Sequence, residues 1–373
     1  MNSQRPFVPN NETGALSEES TKAYFSRLGW SIFVLGIASS IASIGLSALS
    51  SLILPQSLLN NSTLITLLGY IISVISIYGV ATPLLCKVLA PLPKVTPLKR
   101  KLSFGNVLGG FCVAFLLMTV GSYISSFVLG LIQTLLNTST QNPIEDMISP
   151  NDPVIVLITA VFVGVILPIF EEILFRKILC NKLLALGEAY AIIVSATIFG
   201  LIHGNFYQFA YAFLLGALFA LIYVKTGKII YSTIYHIAIN LLGAVVTPWL
   251  IAQIDMEGFS ANLEKLFGLL ESGSTEAYMN LYLSMLPQMF LLTLYEALSL
   301  VPAIFGIVLL SKALRNKTIK LDGGILTPSK KNALANIFCT VGVAAAITYF
   351  TFTFLLSIIP EGKLESLFET LLK

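Results

Sequence analysis

The feature that most constrains this chain is a succession of apolar stretches, each about as long as a bilayer is thick. Nine can be read, over residues 28–53, 64–86, 104–131, 153–175, 188–203, 206–224, 229–250, 281–310 and 333–359. A transmembrane helix needs about 20 apolar residues, and a soluble domain cannot carry this pattern because its surface must face water. Hydrophobic residues make up 56% of the 373 and charged residues only 11%. The expected fold class is therefore all-α, a polytopic membrane bundle of about 8–9 transmembrane helices.

Charge alternates sharply between successive loops. Lys87, Lys94, Lys99, Arg100 and Lys101 follow the second stretch, and Arg176, Lys177 and Lys182 follow the fourth. Lys225 and Lys228 follow the sixth; Lys312, Arg315, Lys317, Lys320, Lys330 and Lys331 follow the eighth. Only Glu188 and Asp322 oppose them on that side. The other side carries Glu145, Asp146, Asp152, Asp255, Glu257, Glu264, Glu271 and Glu276, with Lys265 alone opposing. Basic loops stay in the cytoplasm, so the chain is expected in the cell membrane with its amino terminus cytoplasmic and its carboxyl terminus external.

Residues 1–24 are polar and read as a disordered cytoplasmic tail with no cleavable signal peptide. Residues 25–103 then supply two helices and a basic loop that Pro91, Pro93 and Pro97 keep extended. The loop is a plausible lipid-headgroup contact, although orientation signalling explains it as well. A core is expected over 104–250, and 251–373 adds an external loop and two more helices. Segments 263–267 and 364–368 both read Leu-Glu-x-Leu-Phe and suggest amphipathic helices on the outer leaflet. The cysteines Cys86, Cys112, Cys180 and Cys339 have no C-x-x-C spacing and read as small hydrophobes.

Inside the apolar stretches the acidic residues are Glu171, Glu172 and Glu296. A charge at the bilayer centre costs roughly 2.5–3.5 kcal/mol on insertion scales, which makes each a functional hypothesis. Only two histidines exist, His203 and His236. Glu172 lies four residues before Arg176, so the two stack on one helix face and pair, leaving Glu171 as the free acid/base. Pro168 kinks this helix or frees a backbone carbonyl beside the pair. His236 and Asn240 share a face of the seventh stretch by the same spacing. Glu171 and His203 lie equally many residues before and after the turn at Gly187, which puts them at one height in a helical hairpin. His236 lies about 12 Å inside its helix, so all three are expected at similar depth, recessed on the cytoplasmic side. The Gly204–Asn205 junction places non-helical backbone at membrane depth, which is tolerated beside a water-filled cavity.

Glu171-Glu172-x-x-x-Arg176, then Phe199-x-x-x-His203, then His236-x-x-x-Asn240 on successive apolar segments resemble the CPBP family, the CAAX proteases and bacteriocin-processing enzymes also called ABI. These are intramembrane glutamate endopeptidases, and the likeness runs over roughly 104–250. One departure is Lys177, where a small residue usually follows the arginine. The resemblance implies hydrolysis of a peptide bond by an activated water. Glu171 is then the general base, His203 helps to position and deprotonate the water, and His236 and Asn240 donate to the oxyanion. Glu172 and Arg176 hold the active-site helix.

The expected partners are a peptide or protein-terminus substrate and membrane lipids, with no nucleic acid. No cofactor is expected; zinc on Glu171, His203 and His236 is the rival, since two histidines and a glutamate are a legitimate ligand set. Two non-protease readings stay open. One is a catalytically silent scaffold or bacteriocin-immunity protein. The other is a proton-coupled transporter, with Glu296 as a further relay.

Overall fold

Helix starts along the chain are set by capping side chains. In the structure, a computed structural model that describes residues 14–136 and 152–359, Ser17 caps α1 (Glu18–Ile53) by accepting from the Ser20 amide. Asp152 caps α4 (Pro153–Leu183), taking the Val154 and Ile155 amides just ahead of a proline whose missing N–H costs nothing there. Between them run α2 (Ser62–Leu89) and α3 (Phe104–Leu136). Then come α5 (Glu188–Leu201), α6 (Phe206–Thr226) and α7 (Ile229–Ala252). The chain continues with α8 (Met256–Glu271), α9 (Thr275–Arg315), the short α10 (Ala333–Phe338) and α11 (Val341–Ser357). Among the described residues the β-type contacts are two isolated bridges, Ala15 with Thr327 and Gly187 with Gly323.

The chain is an all-α, multi-pass membrane protein. Seven of these helices are long and apolar enough to cross a membrane. The two further crossings expected from sequence are shorter, with 14 residues in α5 and 17 in α11. At 1.5 Å per residue α5 is about 21 Å long, against a hydrocarbon core of about 30 Å. It stops part-way, and the turn that follows it is held inside the bundle.

The basic loops gather at one end, around the α4–α5 corner. Tyr24 donates to the Lys182 carbonyl at 2.7 Å, Val95 to Asn181 at 2.7 Å, and Leu326 to Ala185 at 2.8 Å. The proline-rich loop after α2 and the loop after α9 are thus strapped across the corner rather than free. Leu89, Leu92, Leu179, Leu183, Leu186, Tyr223 and Leu326 form the packed core there. Lys177, the departure from the family pattern, is exposed and displaces nothing. At the opposite end, α8 contains Leu263–Phe267 and presents Met256, Leu263, Phe267 and Leu270 as an exposed apolar stripe. Segment 364–368, the amino-terminal residues 1–13 and the loop acids Glu145 and Asp146 lie outside the described residues.

Three of the register breaks in the described helices fall just ahead of prolines. π-helical segments at Ile75–Ala81, Phe162–Ile166 and Leu242–Val246 end two residues before Pro83, Pro168 and Pro248. A proline ring clashes with the carbonyl four residues back, and widening the helix relieves that clash. The two breaks at Pro168 and Pro248 flank the cavity described next.

Candidate active site

Glu171 and Glu172 sit at the end of a short α-helical turn between two π segments of α4, Phe162–Ile166 and Ile173–Cys180. Being adjacent, they point about 100° apart, and the bundle treats them differently. The Glu172 and Arg176 side chains are 0% exposed and paired, Nε to Oε2 at 3.0 Å. This is the pairing that the i, i+4 spacing predicts. Arg176 also donates from Nη1 to the Ser195 hydroxyl on α5 at 3.1 Å. Its Nη2 is buried with no hydrogen-bond partner among the described residues, but the guanidinium lies within 6 Å of the Phe175, Phe199 and Phe219 ring centres. Ring faces are a favourable setting for a buried cation.

His236, on α7, lies between the carboxylates. Nδ1 is 3.2 Å from Glu172 Oε1 and Nε2 is 3.4 Å from Glu171 Oε2. Phe199 and Phe219 pack on the ring. The sequence expectation gave His236 an oxyanion role; in the structure its ring stands between the two carboxylates. Nδ1 is hydrogen-bonded to Glu172, and Nε2 lies within charge-contact distance of Glu171. The imidazole ties the free carboxylate to the buried ion pair.

Asn240 lies one turn further along α7 and donates from Nδ2 to the Val163 carbonyl on α4 at 2.9 Å. Register explains the contact. In the π segment Leu167 N–H reaches back five residues to Phe162, and the next donor in that ladder would be residue 168. Pro168 has no N–H, so Val163 loses its partner and Asn240 supplies one. The carbonyl expected to be freed by Pro168 is this one. A primary amide carries two donor protons, and one of Asn240's is committed here.

His203 occupies the turn between α5 and α6, where Gly204 takes φ +66°. Its Nδ1 is 2.7 Å from the Phe199 carbonyl. A carbonyl only accepts, so Nδ1 carries the proton and Nε2 is the nitrogen free to act as a base. Asn205 fixes the turn. Its Oδ1 accepts from the Gln208 amide at 2.9 Å, and its Nδ2 donates to the His203 carbonyl and to Gln208 Oε1. The Asn205-x-x-Gln208 spacing is a capping signature visible in the sequence, and it was missed. Small residues let α5 and α6 approach this closely: a Cβ on Gly216 would press on Phe199 and Ala196, and one on Gly200 on Phe209.

A cavity of about 640 Å³ joins these parts; Glu171, His203, His236 and Asn240 all line it. Glu172 and Arg176 are behind its wall. The Glu171 side chain is 19% exposed, against 0% for Glu172. The remaining polar lining comes from Tyr70 and Ser73 on α2, Ser122 on α3, Thr159 on α4, Asn205 in the α5–α6 turn, Gln208 and Tyr211 on α6, Thr247 on α7, and Tyr295 and Ser299 on α9. Hydroxyl residues in apolar helices carry no pattern of their own, so sequence reading did not find them. Glu296 is exposed beside Tyr295 and is not part of the wall.

The lining shows which way the cavity runs from the cluster. Sequence counting placed the site recessed on the side of the basic loops. Along α4 the lining residues are Glu171, Leu167, Val163 and Thr159; along α7 they are His236, Ile239, Asn240, Gly243, Ala244 and Thr247. Both rows lead away from the basic end. Toward the basic end the site is closed by Leu174, Phe175, Arg176, Phe219 and Tyr235, all at most 2% exposed. Counting residues gives depth but not which side of a residue is packed, and the packing is decided by the strapped loops.

As for metal, among the described residues no three His, Cys, Asp or Glu side chains converge as a ligand set. The fold and site thus define a class: a polytopic helical membrane protein with a carboxylate–imidazole–carboxylate cluster at the closed end of an intramembrane cavity. Residues 153–242 match the family model described as type II CAAX prenyl endopeptidase Rce1-like. That segment is shorter than the 104–250 expected from sequence, and it contains Glu171, Glu172, Arg176, His203, His236 and Asn240. No curated protein and no solved structure shows significant similarity to the chain.

Proposed function

We propose that this protein is an intramembrane endopeptidase that hydrolyses a peptide bond with a water activated by Glu171 and His203. The observation that carries the reading is the splitting of two adjacent glutamates. One is neutralised behind the wall by Arg176; the other faces the cavity, 3.4 Å from an imidazole. A structural ion pair needs one carboxylate, so the second is free for chemistry.

In the proposed reaction, water entering between Glu171 and His203 loses a proton to Glu171 as its oxygen bonds the substrate carbonyl carbon. The carbonyl oxygen becomes the oxyanion, and the uncommitted amide proton of Asn240 is the donor placed to meet it. Collapse of this intermediate breaks the C–N bond. The proton held by Glu171 passes to the departing amine, leaving a carboxylic acid and an amine. His236 holds Glu171 in place, while Glu172 and Arg176 anchor His236. A water held by Glu171 and His203 needs no ion, and the proposed mechanism is metal-free.

The similarity to CAAX prenyl endopeptidases supports a peptide or protein terminus as substrate. The charge asymmetry of the loops supports a cell-membrane protein with its amino terminus cytoplasmic and its carboxyl terminus external. A proton-relay role would draw on Glu296, which the cavity wall leaves out.

The test is incubation of the detergent-purified protein with a proteolytic digest of casein, followed by mass spectrometry. New peptide ends are expected with the native protein and with chelator-treated protein, and none with Glu171→Gln. Cleavage abolished by chelator would replace this mechanism with a metal-dependent one, and cleavage by Glu171→Gln would remove its base.

A further inference from the structure

The run of the cavity lining along its helices points to the side from which substrate arrives. On α7 no lining residue lies between His236 and the basic end, while Thr247 lies about 16 Å beyond it toward the other end. On α4 the lining runs about 18 Å from Glu171 to Thr159 in the same direction. Tyr70 and Ser73 stand in the first half of α2, whose start is also at that end. Three helices therefore agree, although their chains run in different directions.

The basic end is shut twice. Immediately beyond the cluster come the buried Arg176 and the rings of Phe175, Phe219 and Tyr235. Further out, the strapped loops seal the α4–α5 corner, where Glu188 takes both the Lys225 ammonium and the Asp322 amide and Gly187 bridges Gly323. At the open end the described charged residues are Asp152, Asp255, Glu257, Glu264, Glu271 and Glu276, with Lys265. Basic loops mark the cytoplasm.

We infer that the cavity opens toward the non-cytoplasmic face of the membrane, so that its substrate is a polypeptide segment presented from outside: an exported peptide or the external stretch of another membrane protein. The inference rests on the endopeptidase reading for the word substrate, but the direction of access does not. A terminus arriving from the cytoplasm would meet the packed end of the cavity. The wall suits an extended, uncharged stretch of peptide. Apart from Glu171 and the histidines its polar groups are hydroxyls and amides.

The experiment labels thiols from one side of the membrane. Cys86, Cys112 and Cys180 are changed to Ala in the full chain, and the exposed Cys339, beside the basic loops, is kept as the reporter of that face. Thr247→Cys and Ser73→Cys are added separately, and intact cells are treated with a membrane-impermeant maleimide. The expected result is labelling of both new thiols at least about tenfold faster than Cys339, which reacts only after permeabilisation. Labelling of the new thiols only after permeabilisation would overturn the inference. So would labelling from neither side, which would mean a mouth opening into lipid, or labelling of Cys339 in intact cells, which would invert the orientation. Labelling needs no catalysis, and repeating it in Glu171→Gln separates access from hydrolysis. In sealed right-side-out vesicles the casein digest is then expected to be cleaved when added outside. Cleavage confined to inside-out vesicles would overturn the inference while leaving the protease reading intact.

Discussion

Breaking the Glu172–Arg176 pair from either side predicts a specific pattern of stability. Both side chains are fully buried and meet at 3.0 Å. Removing one partner of such a pair costs about 3–5 kcal/mol, because the survivor is a buried, uncompensated charge. At about 1.4 kcal/mol per decade that lowers the folded-to-unfolded ratio by roughly two to three and a half orders of magnitude. Glu172→Leu strands Arg176, whose remaining neighbours are the Ser195 hydroxyl and three rings, and belongs near the top of that range. Arg176→Met leaves Glu172 facing His236 Nδ1 and belongs near the bottom. The double variant removes both charges. It recovers most of the loss, keeping a deficit of about 1–3 kcal/mol for the imidazole N–H that no longer has an acceptor. Far-UV circular dichroism during titration of detergent micelles with sodium dodecyl sulfate measures all four proteins. Additive single losses in the double variant, or a Glu172→Leu cost under about 1 kcal/mol, would refute the idea that this pair is buried and coupled.

Two other predictions rest on backbone register and on helix contact. Asn240→Ala leaves the Val163 carbonyl unpaired, at a cost of about 1–3 kcal/mol. Adding Pro168→Ala restores an N–H in the ladder and recovers part of it, read as the melting temperature of the single and double variants; no recovery would break the link between that proline and that amide. In the crossing of α1 and α11, Gly29 and Gly342 each lie against the partner's backbone. Gly342→Leu is therefore expected to undock α11 and expose Gly29 to proteolysis or deuterium exchange, and unchanged protection there would contradict close helix contact.

Much of this architecture was legible because a bilayer imposes simple rules. Apolar length marked the crossings, loop charge marked the two ends, and the i, i+4 rule gave the Glu172–Arg176 pair and the His236–Asn240 face. What sequence could not give was three-dimensional partnership. Composition cannot see where the 14-residue α5 stops at its turn. Nothing in a linear pattern shows that His236 has a carboxylate beside each ring nitrogen. Asn240's bond to Val163 depends on a π register, which a proline hints at without naming the acceptor. The direction of the cavity was hidden for the same reason, since it is decided by loops from residues 90–103 and 316–332 folding over a corner formed elsewhere in the chain.

The central claim is that Glu171, held by His236 at the closed end of the cavity, is the general base for peptide hydrolysis. Single-turnover cleavage by native protein and by Glu171→Gln, on one peptide that the native protein cuts, tests it most directly. General-base catalysis contributes about 10²–10⁴-fold, so the variant is expected to lose at least about a hundredfold in rate with an unchanged melting temperature. A Glu171→Gln protein that cleaves within about twofold of native would contradict the account.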